Sequence, residues 1–402
     1  MSLPELFLLT NRRKMKTTTD NKKSLPVLKK QIIVQSTAAV TRAGEGSAAL
    51  LKNGKILLVY SRFTGGGADH DTSELFGGIL DPVTGELQDG RIFFQDVGAV
   101  NQMCVSFERL NDGDLGIVFL RRSAPDEDDV YFSRSPDDGI TWSKPVKVNS
   151  CCEEKFIVVN CDRLRQFSSG RLVIPAALYP ERKNLEKPSS LAMFYSDDGG
   201  KSWFISERLR ILGKNMRPPH SMHPDAGQIW KDGCNYYAKE QEPGVEELVD
   251  GRILLYCRTY IGYMYQAYSA DNGQSWTELK ASSYIVSPCS PQSIRRIPGS
   301  TRLLCIFNDR RNVAYGDPEK FWNWRTPLTL AVSDDNAATW RILGNIEDDS
   351  HNYCYTSILF LGDNILLTYY ESENSIQDGK PVRRNLASLK MLILNLEQIC
   401  QY

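Results

Sequence analysis

The chain has 402 residues, 41% of them hydrophobic and 24% charged, with a formal net charge of −1. That composition supports a large buried core, while the near-zero charge supplies no global basic field and argues against nucleic acid as a partner. No run reaches the eighteen or more apolar residues of a membrane helix. The four histidines and ten scattered cysteines show neither metal-ligand spacing nor a disulfide framework, so no metal or cofactor is expected. The cysteines read as buried free thiols in a reducing compartment.

The chain opens on a short apolar run, Leu6-Phe7-Leu8-Leu9, with its basic residues, Arg12-Arg13-Lys14, after it. A signal peptide has the reverse order and a longer apolar segment. A cytoplasmic location is therefore expected, although Met15 offers a second possible start. Residues 1–30 read as a disordered lead-in rich in Lys, Thr and Asn, and residues 31–402 as a single domain.

Internal repeats organise the remainder. An apolar strand, a Gly-containing turn and a second apolar strand recur six times. The turns lie at Asn53-Gly54, Asp112-Gly113, Ser169-Gly170, Asp250-Gly251, Pro298-Gly299 and Gly362-Asp363. Some sixty residues per unit leave room for four strands, and sustained helical periodicity is absent. Between these hairpins runs an eight-residue motif, Ser-x-Asp-x-Gly-x-Thr/Ser-Trp. It reads at Ser135–Trp142, Ser196–Trp203 and Ser269–Trp276, and at Ser333–Trp340 with Ala337 in place of Gly. Asp and Ser there cap backbone amides, Gly supplies a positive φ, and Trp packs into the sheet. Four-stranded units repeated radially make an all-β, six-bladed β-propeller. The early strand Gln31–Val34 is expected to join the Leu389–Leu394 region and close the ring.

In such a propeller, residues flanking the hairpin of strands one and two meet at one rim of the central channel. Arg42 and Arg62 flank Gly54, Glu242 and Arg258 flank Gly251, and Tyr355 and Glu371 flank Gly362. Three arginines at one mouth repel unless counter-ions or function hold them, so this rim reads as an anion site. Asn160, Asp162 and Arg163, which start the third inner strand, read equally as specificity residues or as a structural hydrogen-bonded cluster. The motif aspartates fall on the opposite face, where they act as turn caps.

These motifs resemble the sialidases, whose propellers carry the same eight-residue motif, the Asp-box. The resemblance runs from about residue 38 onward and includes Gln241-Glu242-Pro243-Gly244 and Ser290-Pro291-Gln292-Ser293. It implies that Arg42, Arg258 and Arg325 form an arginine triad, with Arg62 an additional arginine. It further implies that Asp69 is the acid/base, Tyr355 the nucleophile, Glu242 the residue activating it, and Glu371 the acid bracing Arg42. Asp71 competes with Asp69 and Tyr353 with Tyr355, and the family's Arg-Ile-Pro reads Arg42-Ala43-Gly44 here.

The implied function is a retaining exo-α-sialidase acting, as a monomer, on sialylated oligosaccharides or glycoconjugates through a covalent tyrosyl intermediate. A glycosidase for a different acidic sugar and a non-catalytic propeller that binds glycan or protein are the alternatives.

Overall fold

The computed structural model describes residues 25–95, 100–124, 127–179, 189–211, 240–259, 262–311, 324–377, 380–383 and 387–402. Six antiparallel sheets surround a channel, each built on a four-stranded path; the first five follow sequence order from the inside out, and the third and last carry a fifth strand off the path. The first blade runs Arg42–Leu50, Ile56–Phe63, Ser73–Leu80, Leu87–Phe93, and the fourth runs Gln241–Glu247, Ile253–Arg258, Tyr263–Ser269, Lys280–Val286. The second strands are buried on both faces, which is why Leu172–Tyr179 and residues 253–257 read as unbroken apolar runs.

The ring closes as expected. His351–Leu361, Asn364–Gln377 and Ser388–Asn395 form the last blade, and the N-terminal strand supplies its outer edge. That strand begins at Val27 rather than Gln31, because Val27–Lys30 continue the ladder along Leu392–Leu394. The lead-in is shorter than expected on its described side; residues 1–24, with Met15, lie outside the described residues. Among the described residues no helix is long and apolar enough to cross a membrane. The nine described cysteines are free, five of them buried.

Each Asp-box links the third and fourth strands of its blade. In the first, the Gly139 N–H donates to Ser135 Oγ at 2.7 Å, while Asp137 accepts from the Thr141 N–H at 2.8 Å and the Thr141 hydroxyl at 2.6 Å. Ala337 adopts the glycine conformation, φ 66°, and its N–H still reaches Ser333 at 3.0 Å. Box residues also bond the inner hairpin turns: Asp138 accepts from the Lys52 N–H at 2.6 Å, and Arg171 pairs with Asp197 at 2.8 Å. Boxes and turns therefore share one face, and the opposite rim is left to the polar residues that start the inner strands.

Near the turn end the channel is plugged by paired charges. Arg295 meets Asp162 at 2.8 Å and Glu108 at 3.5 Å, and Arg165 meets Glu246 at 3.6 Å. Asp162 also accepts from the Ile358 N–H at 3.2 Å, and the fully buried Arg163 donates to the Pro243 and Gln292 carbonyls. Asp162 and Arg163 thus belong to a structural cluster that ties the blades together.

The Asp198 carboxylate of the second box accepts from Ser196, Lys201 and Ser202. Desolvation by the surrounding turn pushes its pKa up, but these hydrogen bonds outweigh that and hold it at about 2. Asp198→Ala should cost about 1 kcal/mol of stability, as a lost cap does, measured by urea unfolding at neutral pH. The stability that Asp198 contributes is present above the ordinary carboxylate range and lost as pH falls toward 2. The difference between variant and parent should therefore shrink on acidification.

Candidate active site

The inner strands do not run straight at the rim. Four of them carry a non-glycine residue with positive φ, Glu45 (52°), Cys104 (61°), Glu242 (45°) and Tyr355 (59°), and Asp162 (57°) takes the same conformation between the two short inner strands of the third blade. In four blades the strand register slips across this residue, the mark of a β-bulge. Left-handed backbone costs an ordinary residue on the order of 1 kcal/mol. It also breaks the in–out alternation of the strand and re-aims the side chain.

Three bulge residues meet three arginines there. The Tyr355 hydroxyl donates to Glu242 Oε1 at 3.1 Å, and the other carboxylate oxygen of Glu242 pairs with Arg258 Nη1 at 3.0 Å. Arg258 also donates to Gln241 at 2.6 Å. The Arg325 guanidinium lies 5.2 Å from the centre of the Tyr355 ring and donates to the Tyr370 hydroxyl at 2.9 Å. Arg42 lies over the Phe63 ring at 4.6 Å, pairs with Glu45, and donates from Nη1 to Asp69 Oδ1 at 2.6 Å. All three guanidinium groups are buried.

The titratable groups feel one another. Burial, reinforced by the Glu242 charge, pushes the Tyr355 phenol well above its ordinary range, with Arg325 and Arg258 opposing. The phenol is neutral. Burial also raises the Glu45 carboxyl, against the pull of Arg42. Asp69 hangs at the open edge of the mouth, its side chain 66% exposed. Desolvation by its surroundings pushes its pKa up; Arg42, then Arg122 and Arg325, outweigh this and hold it at about 2.

Two pairs of alternatives separate by geometry. Asp71 turns inward to cap the Ala68 N–H at 2.7 Å, leaving Asp69 to meet the arginine. Tyr353 points to Asp348 and lies beside Lys390, away from Glu242.

Two expected residues are not brought to the cluster. Arg62 stacks on Phe76 at 3.6 Å and pairs with Glu74 along the outer side of the first blade. Glu371 pairs with Lys390, so it does not brace Arg42. Neighbouring strand residues face opposite ways, and here Tyr370 rather than Glu371 faces the arginines.

The residue that sequence reasoning missed is Glu45, the acid that does brace Arg42. A signal was available: Glu45 stands nine residues before turn Gly54, as Glu242 does before Gly251.

Fold and motifs together define a six-bladed Asp-box propeller with a buried arginine cluster at the mouth opposite the boxes. The profile of the BNR repeat-like domain matches residues 105–367, and the chain belongs to that family. Its fold is similar to that of a protein of unknown function from Dyadobacter fermentans DSM 18053 (TM-score 0.67, 16% identity, 92% of this chain and 98% of that one). It is equally similar to the Hadza microbial sialidase Hz136 (TM-score 0.67, 15% identity, 92% and 69%). Trypanosoma rangeli sialidase in complex with sialic acid matches at TM-score 0.64 and 15% identity, over 90% of this chain and 55% of that one. This chain therefore spans about half the length of the trypanosomal enzyme.

Whether Glu45 or Glu371 supports Arg42 is measurable by double-mutant cycles on unfolding free energy. The Arg42–Glu45 pair should couple by about 1 kcal/mol or more. Arg42 and Glu371 should be additive within about 0.5 kcal/mol.

Proposed function

We propose that the chain is an exo-acting glycoside hydrolase that releases terminal sialic acid, or a related nonulosonic acid, from oligosaccharides or glycoconjugates. The observation that carries this reading is the neutral Tyr355 phenol donating to the buried Glu242 carboxylate beside three guanidinium groups. A sialic acid bears its carboxylate on the anomeric carbon, and arginine forks suit bidentate pairing with a carboxylate. An ionised carboxylate nucleophile would approach that carbon against charge; a neutral phenol avoids the repulsion.

As the bond from the Tyr355 oxygen to the anomeric carbon forms, the phenolic proton passes to Glu242 Oε1. Asp69, once protonated, gives its proton to the departing glycosidic oxygen. Water then attacks the same carbon while Asp69 takes its proton, and the Tyr355 oxygen leaves and recovers its own from Glu242. Two displacements on one carbon retain its configuration. Because the phenol is held above its ordinary range, the base must act during attack rather than before it. Support comes from a fold neighbour, Trypanosoma rangeli sialidase, solved with 2,3-difluorosialic acid as a covalent intermediate. That enzyme has also been solved with a difluoro keto-deoxy-nononic acid, which favours keeping other nonulosonic acids among the substrates.

A panel of fluorogenic glycosides bearing different acidic and neutral sugars tests the reading. Release from a nonulosonic acid glycoside, lost by roughly a thousandfold or more in kcat for Tyr355→Phe, is expected. Turnover confined to neutral sugars, no turnover at all, or a fully active Tyr355→Phe variant would contradict it.

A further inference from the structure

Three cations and three carboxylates share the cluster: Arg42, Arg258 and Arg325 against Glu45, Asp69 and Glu242. The set is already neutral. A substrate carboxylate would add a fourth negative charge in a place where Arg42 is fully engaged. Its Nη2 is held by Glu45, and its Nη1 by Asp69 at 2.6 Å and the Gly67 carbonyl at 3.3 Å.

Of the three acids, only Asp69 can leave cheaply. Glu45 and Glu242 are 3% and 6% exposed and sit on the strained inner strands. The Asp69 side chain is 66% exposed and belongs to a loop. Its backbone is nonetheless pinned: the Asp69 carbonyl accepts from Asn101 Nδ2 at 2.6 Å and from the Arg122 guanidinium. Arg122 is itself locked to Asp128 at 2.6 Å. The carboxylate can therefore rotate away from Arg42 into solvent while the loop stays in place.

We propose that Asp69 is an internal stand-in for the substrate carboxylate: it fills the anionic place at Arg42 in the empty site and is exchanged out when a carboxylate ligand binds. The exchange rests on the arginine-clamp reading above and extends it, because it couples binding to chemistry. Around Asp69 the facing charged groups are Arg42, Arg122, Arg325 and Glu45, with His70 and Asp71 on its own loop. While Arg42 holds it, Asp69 stays ionised and cannot serve as an acid. Once the ligand's carboxylate takes Arg42, that pull is gone and a second anion lies nearby, so Asp69 binds a proton more readily. The arriving substrate thereby arms its own general acid.

The test is binding of formate and of free sialic acid at pH 7, by NMR or calorimetric titration of the full chain, for the parent, Asp69→Asn and Asp69→Glu. Asparagine is a neutral and weaker competitor for Arg42 than aspartate. Asp69→Asn should bind formate about tenfold more tightly than the parent, the equivalent of one modest ion pair. Asp69→Glu, which keeps the competing charge, should stay near the parent. Sialic acid should follow the same order. If formate tightens while sialic acid binds to none of the three proteins, the exchange stands and the sugar assignment falls. If Asp69→Asn and the parent take formate alike, or neither takes it, the exchange is overturned.

Discussion

A guanidinium group taken out of water costs several kcal/mol unless a carboxylate accompanies it, and this fold buries three of them at one channel mouth. Two of the three are matched directly by carboxylates. Glu242 answers Arg258, while Glu45 and Asp69 answer Arg42. Arg325 is not directly paired among the described contacts; it rests on the Tyr370 hydroxyl and the Tyr355 ring. The cluster is thus matched by carboxylates at Arg42 and Arg258 and lacks one at Arg325, which is where a further anion has something to gain.

The scaffold makes this arrangement affordable. Six sheets packed face to face, with aromatic residues such as Phe94, Phe107 and Trp142 wedged between them, hold the inner strands rigidly around the axis. Asp-boxes and turn glycines secure the far face, and the ion pairs of Arg295 and Arg165 plug the channel below. Against that support four of the inner strands tolerate a left-handed residue at the rim. The same kink that costs backbone energy places Glu45, Glu242 and Tyr355 side by side.

Much of this was legible in the residues. Four Asp-boxes and six turn glycines at regular intervals identify the propeller, and counting back from those turns finds Glu242 and Tyr355. Two of the failures share one cause. Placing Glu371 and Arg62 at the site requires knowing which face each residue takes, and a one-residue difference inverts that. Glu45 has no local mark of its bulge, and only its spacing from Gly54, equal to that of Glu242 from Gly251, points to it. The start of the closing strand at Val27 was hidden by Lys29 and Lys30, whose charges suit an outer edge as well as a disordered tail.

The central claim is that Tyr355, with Glu242 as its base, attacks the anomeric carbon of an acidic sugar held by the arginines. Its most direct measurement is covalent trapping. The protein is incubated with 2,3-difluorosialic acid, digested, and the modified peptide sequenced by mass spectrometry. The account predicts one added sugar, on the Tyr355 oxygen. Attachment to Glu242, Asp69 or Tyr353, or no adduct under conditions where the sugar glycoside is hydrolysed, would contradict it.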